Sequence, residues 1–147
     1  MKKLSLSILI LGFLLSGNAY ALNFKQNLSE YKETNKGTTS AIYVLNRCTG
    51  ILTYNSIMMF KENTEVGLRY NFMSSDLVNL ASKMYSEHNG VTLETATDIN
   101  LNRMMQLDKF YRQDANEMFL KNGSYLTGIV GEDLIFCETL HGRLKKN

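Results

Sequence analysis

Two cysteines are the residues of this 147-residue chain whose type and spacing most invite chemistry. Cys48 follows Arg47 inside an otherwise apolar stretch, and Cys137 comes 89 residues later. Three kinds of site could use such residues: a nucleophilic thiolate, a metal centre or a disulfide. Each needs a different environment, so the elements that carry the cysteines decide between them.

A thiolate nucleophile needs an activating base or a helix N-terminus, together with some exposure to solvent. Cys48 falls in the middle of a predicted helix on its apolar stripe, which disfavours that role. A redox pair would show Cys-x-x-Cys spacing, which the chain lacks. A zinc site remains the weaker alternative, using Cys48, Cys137 and His141, because His141 lies one helical turn after Cys137.

The N-terminus predicts export from the cell. Residues 1–3 include two lysines, residues 4–15 are mostly apolar, and residues 16–21 end in Ala-Tyr-Ala. This is the pattern of a secretory signal peptide cleaved after Ala21, and the apolar run is shorter than the roughly 20 residues of a membrane-spanning helix. We therefore expect a periplasmic or secreted protein with no stable membrane span after cleavage.

Export also favours a disulfide, because exported proteins fold where thiols oxidise. We therefore predict that Cys48 and Cys137 are joined. Closing a loop of this length stabilises a fold by about 4–5 kcal/mol on the chain-entropy estimate.

The charge balance argues against a nucleic-acid partner. The precursor has 16 Lys and Arg against 14 Asp and Glu, but Lys2 and Lys3 leave with the signal peptide. The mature chain is then balanced, and no basic patch is evident.

Apolar periodicity predicts helices and no strands. The steps of three and four residues that place side chains on one helical face run through 39–61, 65–88, 94–121 and 128–145. Asn89-Gly90 and Asn122-Gly123 are typical helix ends. Residues 22–37 form a polar lead-in that is either a short helix or an arm, and 38–147 is predicted to be one helical domain.

Four amphipathic helices with short connections are typical of an antiparallel, up-down-up-down four-helix bundle. Cys48 and Cys137 would then face each other at mid-height on the first and fourth helices. Gly50 would let these two backbones approach. The first helix is apolar on its flanks as well, so it has either several neighbours or a partner surface.

No catalytic or cofactor site is complete in the sequence. Glu138 and His141 have the Glu-x-x-His spacing of di-iron bundles but lack a second copy. Asp114 lies closest to the stripe of the third helix and is expected to pair with Arg103 or Arg47. We therefore predict no catalytic residues, no cofactor and no resident metal.

These patterns favour an exported, non-enzymatic binding module of the bacterial periplasm, such as an inhibitor, an immunity-type protein or a chaperone-like protein. The expected contact is a protein partner, or a second copy of the chain, against the apolar first helix. A helical bundle that binds a small ligand or a metal is the alternative. An enzyme with an unrecognised site is the third hypothesis.

Overall fold

The computed structural model describes residues 26–146, so the predicted signal peptide at 1–21 lies outside the described residues. The described part is all-helical, with no strands. It contains α1 (Leu28–Thr34), α2 (Thr38–Phe60), α3 (Thr64–Asn89), α4 (Leu93–Asn122) and α5 (Gly128–Leu144). The all-α prediction is confirmed, and the four longer helices begin and end within one or two residues of their predicted bounds.

Five helices replace the predicted four, because part of the polar lead-in is helical. Asn27 caps α1 by accepting a hydrogen bond from the backbone N–H of Glu30, and Leu28 is fully buried. Asn63 caps α3 in the same way, through the N–H of Val66. Gly90 and Gly123 end α3 and α4 with positive φ angles of 67° and 77°, a conformation that glycine adopts without steric cost.

Helix α2 lies at the centre of the fold and packs against the other four helices. Its buried side chains point in every direction, including Val44, Leu45, Ile51 and Leu52. The wide apolar surface seen in the sequence is therefore covered mainly within the chain. A helix that is apolar all round is expected in the core of a fold.

Helices α2, α3 and α4 pack on one another. Hydrogen bonds join Ser56 to Gly67 near one end and Thr53 to Ser74 further along, so α2 and α3 run antiparallel. Gly50 permits a close approach, but to α4 and not to α5 as predicted. A Cβ atom at Gly50 would lie 2.5 Å from the Cβ of Leu107.

Helix α5 contacts α4, α2 and α3 in turn along its length. Gly128 lies beside Met118 of α4, Cys137 is bonded to α2, and Glu138 is hydrogen-bonded to Tyr70 of α3. In the predicted four-helix bundle α5 would be the fourth helix and would contact only α2 and α4. It also contacts α3 and α1, which the predicted bundle does not place beside it.

The Cys48–Cys137 disulfide is present and joins α2 to α5, with an S–S distance of 2.04 Å and a Cα–Cα distance of 5.2 Å. Both residues are fully buried in the core. Across residues 26–146, no helix is both long enough and apolar enough to cross a membrane.

Candidate functional site: the α3–α5 groove and the buried Arg47 cluster

The disulfide removes the thiol groups that a nucleophile or a zinc site would need. The zinc alternative combined Cys48, Cys137 and His141, but the two sulfurs are bonded to each other. The Nε2 atom of His141 lies 2.9 Å from an Oδ2 atom of Asp76. Over the described range 26–146, no group of three or more His, Cys, Asp or Glu side chains could hold a metal ion.

The Glu-x-x-His pair of α5 instead binds α5 to α3. Glu138 accepts a hydrogen bond of 2.9 Å from the hydroxyl of Tyr70 and lies 3.6 Å from Arg69. One turn further along α5, His141 faces Asp76. These contacts account for both residues without a metal.

Asp76 also lies 3.3 Å from the ammonium group of Lys145. The hydrogen bond from His141 is the main cause that lowers the pKa of Asp76, and Lys145 adds to it. The carboxylate is therefore ionised at neutral pH and offsets the charge of Lys145 at the end of α5.

A groove of about 660 Å³ opens beside these contacts, between the first half of α3 and the end of α5. Its apolar residues are Val66, Leu68, Phe72 and Met73. Phe72 is 64% exposed and Leu68 is 41% exposed, whereas Met73 is buried. Large apolar side chains that stay in water next to a concave surface are typical of a binding site.

The rim of the groove is charged but largely neutralised. Arg69 lies near Glu138, and Lys145 lies near Asp76. Glu65 also lines the groove. A ligand therefore meets an apolar surface edged by paired charges, which favours an apolar segment over a strongly charged one.

A second cluster, fully buried, was not predicted from the sequence. Arg47 of α2 forms a salt bridge with Asp133 of α5, and both side chains are inaccessible to solvent. The hydroxyl of Tyr111, from α4, accepts a hydrogen bond from Arg47 and donates one of 2.5 Å to Asp133. The expected pairing of Asp114 with Arg47 is therefore wrong, since Asp133 takes that place.

The cluster also fixes the start of α1. Arg47 donates a 2.9 Å hydrogen bond to the backbone oxygen of Gln26, and Asp133 accepts one of 2.7 Å from the backbone N–H of Leu28. One buried ion pair thus connects residues 26–28 to three helices. Charges buried in this way need several hydrogen bonds to offset their lost hydration.

Burial and charge act against each other in this cluster. Burial raises the pKa of Asp133 and of Tyr111, and Arg47 opposes both shifts. Burial disfavours the charge of Arg47, but Tyr111 and Asp133 outweigh it and raise its pKa. Because all three side chains are enclosed, no substrate can reach them, and the cluster acts as a structural connection.

Asp114 lies elsewhere on α4 with one buried carboxylate oxygen, Oδ2, that makes no hydrogen bond within the described part of the chain. Burial raises its pKa, and Glu117 adds to the shift. Arg103, its other predicted partner, lies 4.8 Å from the ring centre of Tyr85.

The α3–α5 groove is thus an accessible site, and the Arg47 cluster is part of the scaffold that holds it. No protein-family model, no curated protein and no solved structure matches this chain.

Proposed function

We propose that this chain is an exported, non-enzymatic binding module of the bacterial envelope. In this proposal the α3–α5 groove takes an apolar segment of a protein partner. The observation that carries it is the exposure of Phe72 and Leu68 beside a groove whose two basic rim residues, Arg69 and Lys145, already lie near carboxylates. Exposed aromatic side chains of this kind supply much of the energy at protein interfaces.

The proposed location follows from the leader pattern at residues 1–21. The Cys48–Cys137 disulfide is compatible with it, because the periplasm and the extracellular space keep disulfides oxidised. An inhibitor, an immunity-type protein or a chaperone-like protein would each suit a small, cross-linked helical scaffold.

The groove replaces α2 as the proposed contact surface. The sequence suggested a partner on the apolar first helix, but most of its apolar side chains are covered by the other helices. Phe72 and Leu68 are spaced by four residues on α3 and therefore share one face. They offer a partner, or a second copy of the chain, a surface that the fold leaves open.

Substitution in the groove tests this function. Wild-type protein and the double variant Phe72→Ser, Leu68→Ser are tagged, expressed in the native envelope and purified under mild conditions. The control is Met105→Ser on α4, which removes an apolar side chain that is 56% exposed and lies outside the groove. We expect a partner that co-purifies with the wild type and the control and is lost from the double variant.

The proposal fails if the same proteins co-purify with all three, or with none of them. Far-UV circular dichroism of each variant ensures that loss of a partner reflects the surface and not unfolding.

A second groove, of about 490 Å³, favours the small-ligand alternative. It lies between α1 and α5, with Phe136 and Leu140 among its apolar residues. The ammonium group of Lys32 lies 5.9 Å from the centre of the Phe136 ring. A small molecule retained by the purified protein in a native mass spectrum would favour this function over a protein partner.

A further inference from the structure

Two buried charged side chains hold the start of α1. Arg47 donates a hydrogen bond to the backbone oxygen of Gln26, and Asp133 accepts one from the backbone N–H of Leu28. Both bonds go to main-chain atoms, so they recognise a stretch of polypeptide and not a particular side chain. The side chain of Leu28 adds an apolar anchor, since it is fully buried in the core. Arg47, Asp133 and the pocket around Leu28 together form what is called here the α1 site.

The rest of α1 resembles a bound peptide. The helix has seven residues, and Leu28 is its one buried side chain. A helix this short is not stable alone in water, so α1 depends on the surface that it contacts. The side chain of Asn27 donates a 2.6 Å hydrogen bond to Glu132, and the ring centres of Tyr31 and Tyr43 lie 4.4 Å apart. These contacts place α1 along α5 and α2 and add to its binding at the α1 site.

Residues 35–37 form a linker between α1 and α2, and none of the three is buried. The backbone oxygen of Asn35 accepts a hydrogen bond from the hydroxyl of Ser40, which is close in sequence. Gly37 has a φ angle of 93°, and a Cβ atom there would meet no atom within 4 Å. A glycine in such open space changes the direction of the chain without steric cost. The linker therefore allows α1 to leave its own site and extend towards another molecule.

Loss of residues 26–28 from the α1 site would leave the buried ion pair with fewer hydrogen-bond partners. Tyr111 would still bond to Arg47 and Asp133 from α4. The guanidinium group and the carboxylate would each lose a main-chain partner, and buried charges need such bonds to offset their lost hydration. We therefore expect an emptied site to take up another segment that offers the same backbone groups and an apolar side chain.

We propose that the α1 site is a peptide-binding site that also takes α1 from a second copy of the chain. A second copy offers the same backbone groups together with the same Asn27 and Leu28, so each contact of α1 in the monomer is kept in the dimer. Exchange of an identical element between two copies is a low-cost route to a dimer. This goes beyond the proposed function, because the α1 site and the α3–α5 groove are lined by different residues.

Peptide exchange tests the α1 site. Protein that begins at Leu22, the expected mature form, receives a protease site inserted between Lys36 and Gly37, and cleavage there leaves α1 held by its contacts alone. We expect a labelled peptide of residues 26–36 to replace the cleaved fragment in native mass spectra. The peptide with Leu28→Asp should bind at least about tenfold more weakly, because its anchor no longer enters the core. The control peptide Ser29→Asp, with the same added charge at an exposed position, should bind like the unchanged peptide.

The same cleavable protein tests exchange between copies. Before cleavage it is unfolded in urea without reductant and refolded at increasing concentration, and size-exclusion chromatography should show a dimer fraction that grows with concentration. Cleavage should convert this dimer to monomer-sized protein, because the linkers alone tie each exchanged α1 to its own copy. The proposal is overturned if the peptide does not replace the fragment, if both aspartate peptides bind alike, if the refolded protein stays monomeric throughout, or if the dimer survives cleavage.

Discussion

Removing one member of the buried Arg47–Asp133 pair should destabilise the fold strongly, and removing both should restore part of the loss. Arg47→Met leaves Asp133 buried without its counter-charge, and Asp133→Leu does the same to Arg47. An uncompensated buried charge costs about 3–5 kcal/mol, against a total stability of about 5–15 kcal/mol for a typical domain. We therefore expect each single variant to lose a large part of its free energy of unfolding.

The double variant Arg47→Met, Asp133→Leu should be more stable than either single variant, because no buried charge remains. Its free energy of unfolding should stay below that of the wild type, because Tyr111, the oxygen of Gln26 and the N–H of Leu28 each lose a hydrogen-bond partner. Each unsatisfied group costs about 1–3 kcal/mol.

Urea unfolding followed by far-UV circular dichroism measures all four proteins. The resulting cycle should give a coupling energy of at least about 2 kcal/mol. Additive losses, or a single variant that costs under about 1 kcal/mol, would refute the proposed role of the pair.

Three further outcomes are expected. Gly50→Ala should cost about 1–3 kcal/mol by forcing α2 away from α4. The control Gly142→Ala should be neutral or stabilising, because a Cβ there meets no atom within 4 Å. Urea unfolding measures both variants, and an equal change in their free energy of unfolding would contradict the close approach of α2 to α4 at Gly50. Asp114→Asn should stabilise the protein at pH 7 by a few tenths to about 1 kcal/mol. Burial raises the pKa of Asp114 in the folded protein. Protonated Asp114 therefore contributes its full stabilisation below about pH 4, and this contribution is lost as the pH rises through the folded pKa. The stability that Asp114→Asn gains at pH 7 should accordingly disappear in acid. A gain of equal size at both pH values would contradict this cause. Finally, the intact mass of unreduced, denatured protein should show no alkylation at Cys48 or Cys137 and two alkylated thiols after reduction; two alkylated thiols before reduction would contradict the disulfide.

The helices could be predicted because their signals are local. Apolar steps of three and four residues, with Asn-Gly pairs at two of the ends, marked the four longer helices to within one or two residues. The lead-in stayed undecided because α1 has only seven residues and depends on tertiary contacts, such as the burial of Leu28. The contacts of α5 with α1 and α3 could not be predicted, since a short connection allows more than one angle between α4 and α5.

The Arg47 cluster was missed because a charged residue beside an apolar stripe is usually solvated. A signal for it did exist. Asp133 precedes Cys137 by four residues and therefore shares its helical face, and Arg47 is adjacent to Cys48. Once the disulfide fixes these two cysteines together, opposite charges next to both of them indicate a buried pair. The α3–α5 groove had no such signal in the sequence, because the exposure of Phe72 depends on where α5 ends.

Cross-linking from the groove in the native envelope tests the binding function most directly. A photoreactive amino acid replaces Phe72 in one protein and Met105 in a control, both of them exposed apolar positions. We expect light to join position 72, and not position 105, to one defined protein. The same products from both positions, or none from position 72, would contradict a binding module that works through the α3–α5 groove.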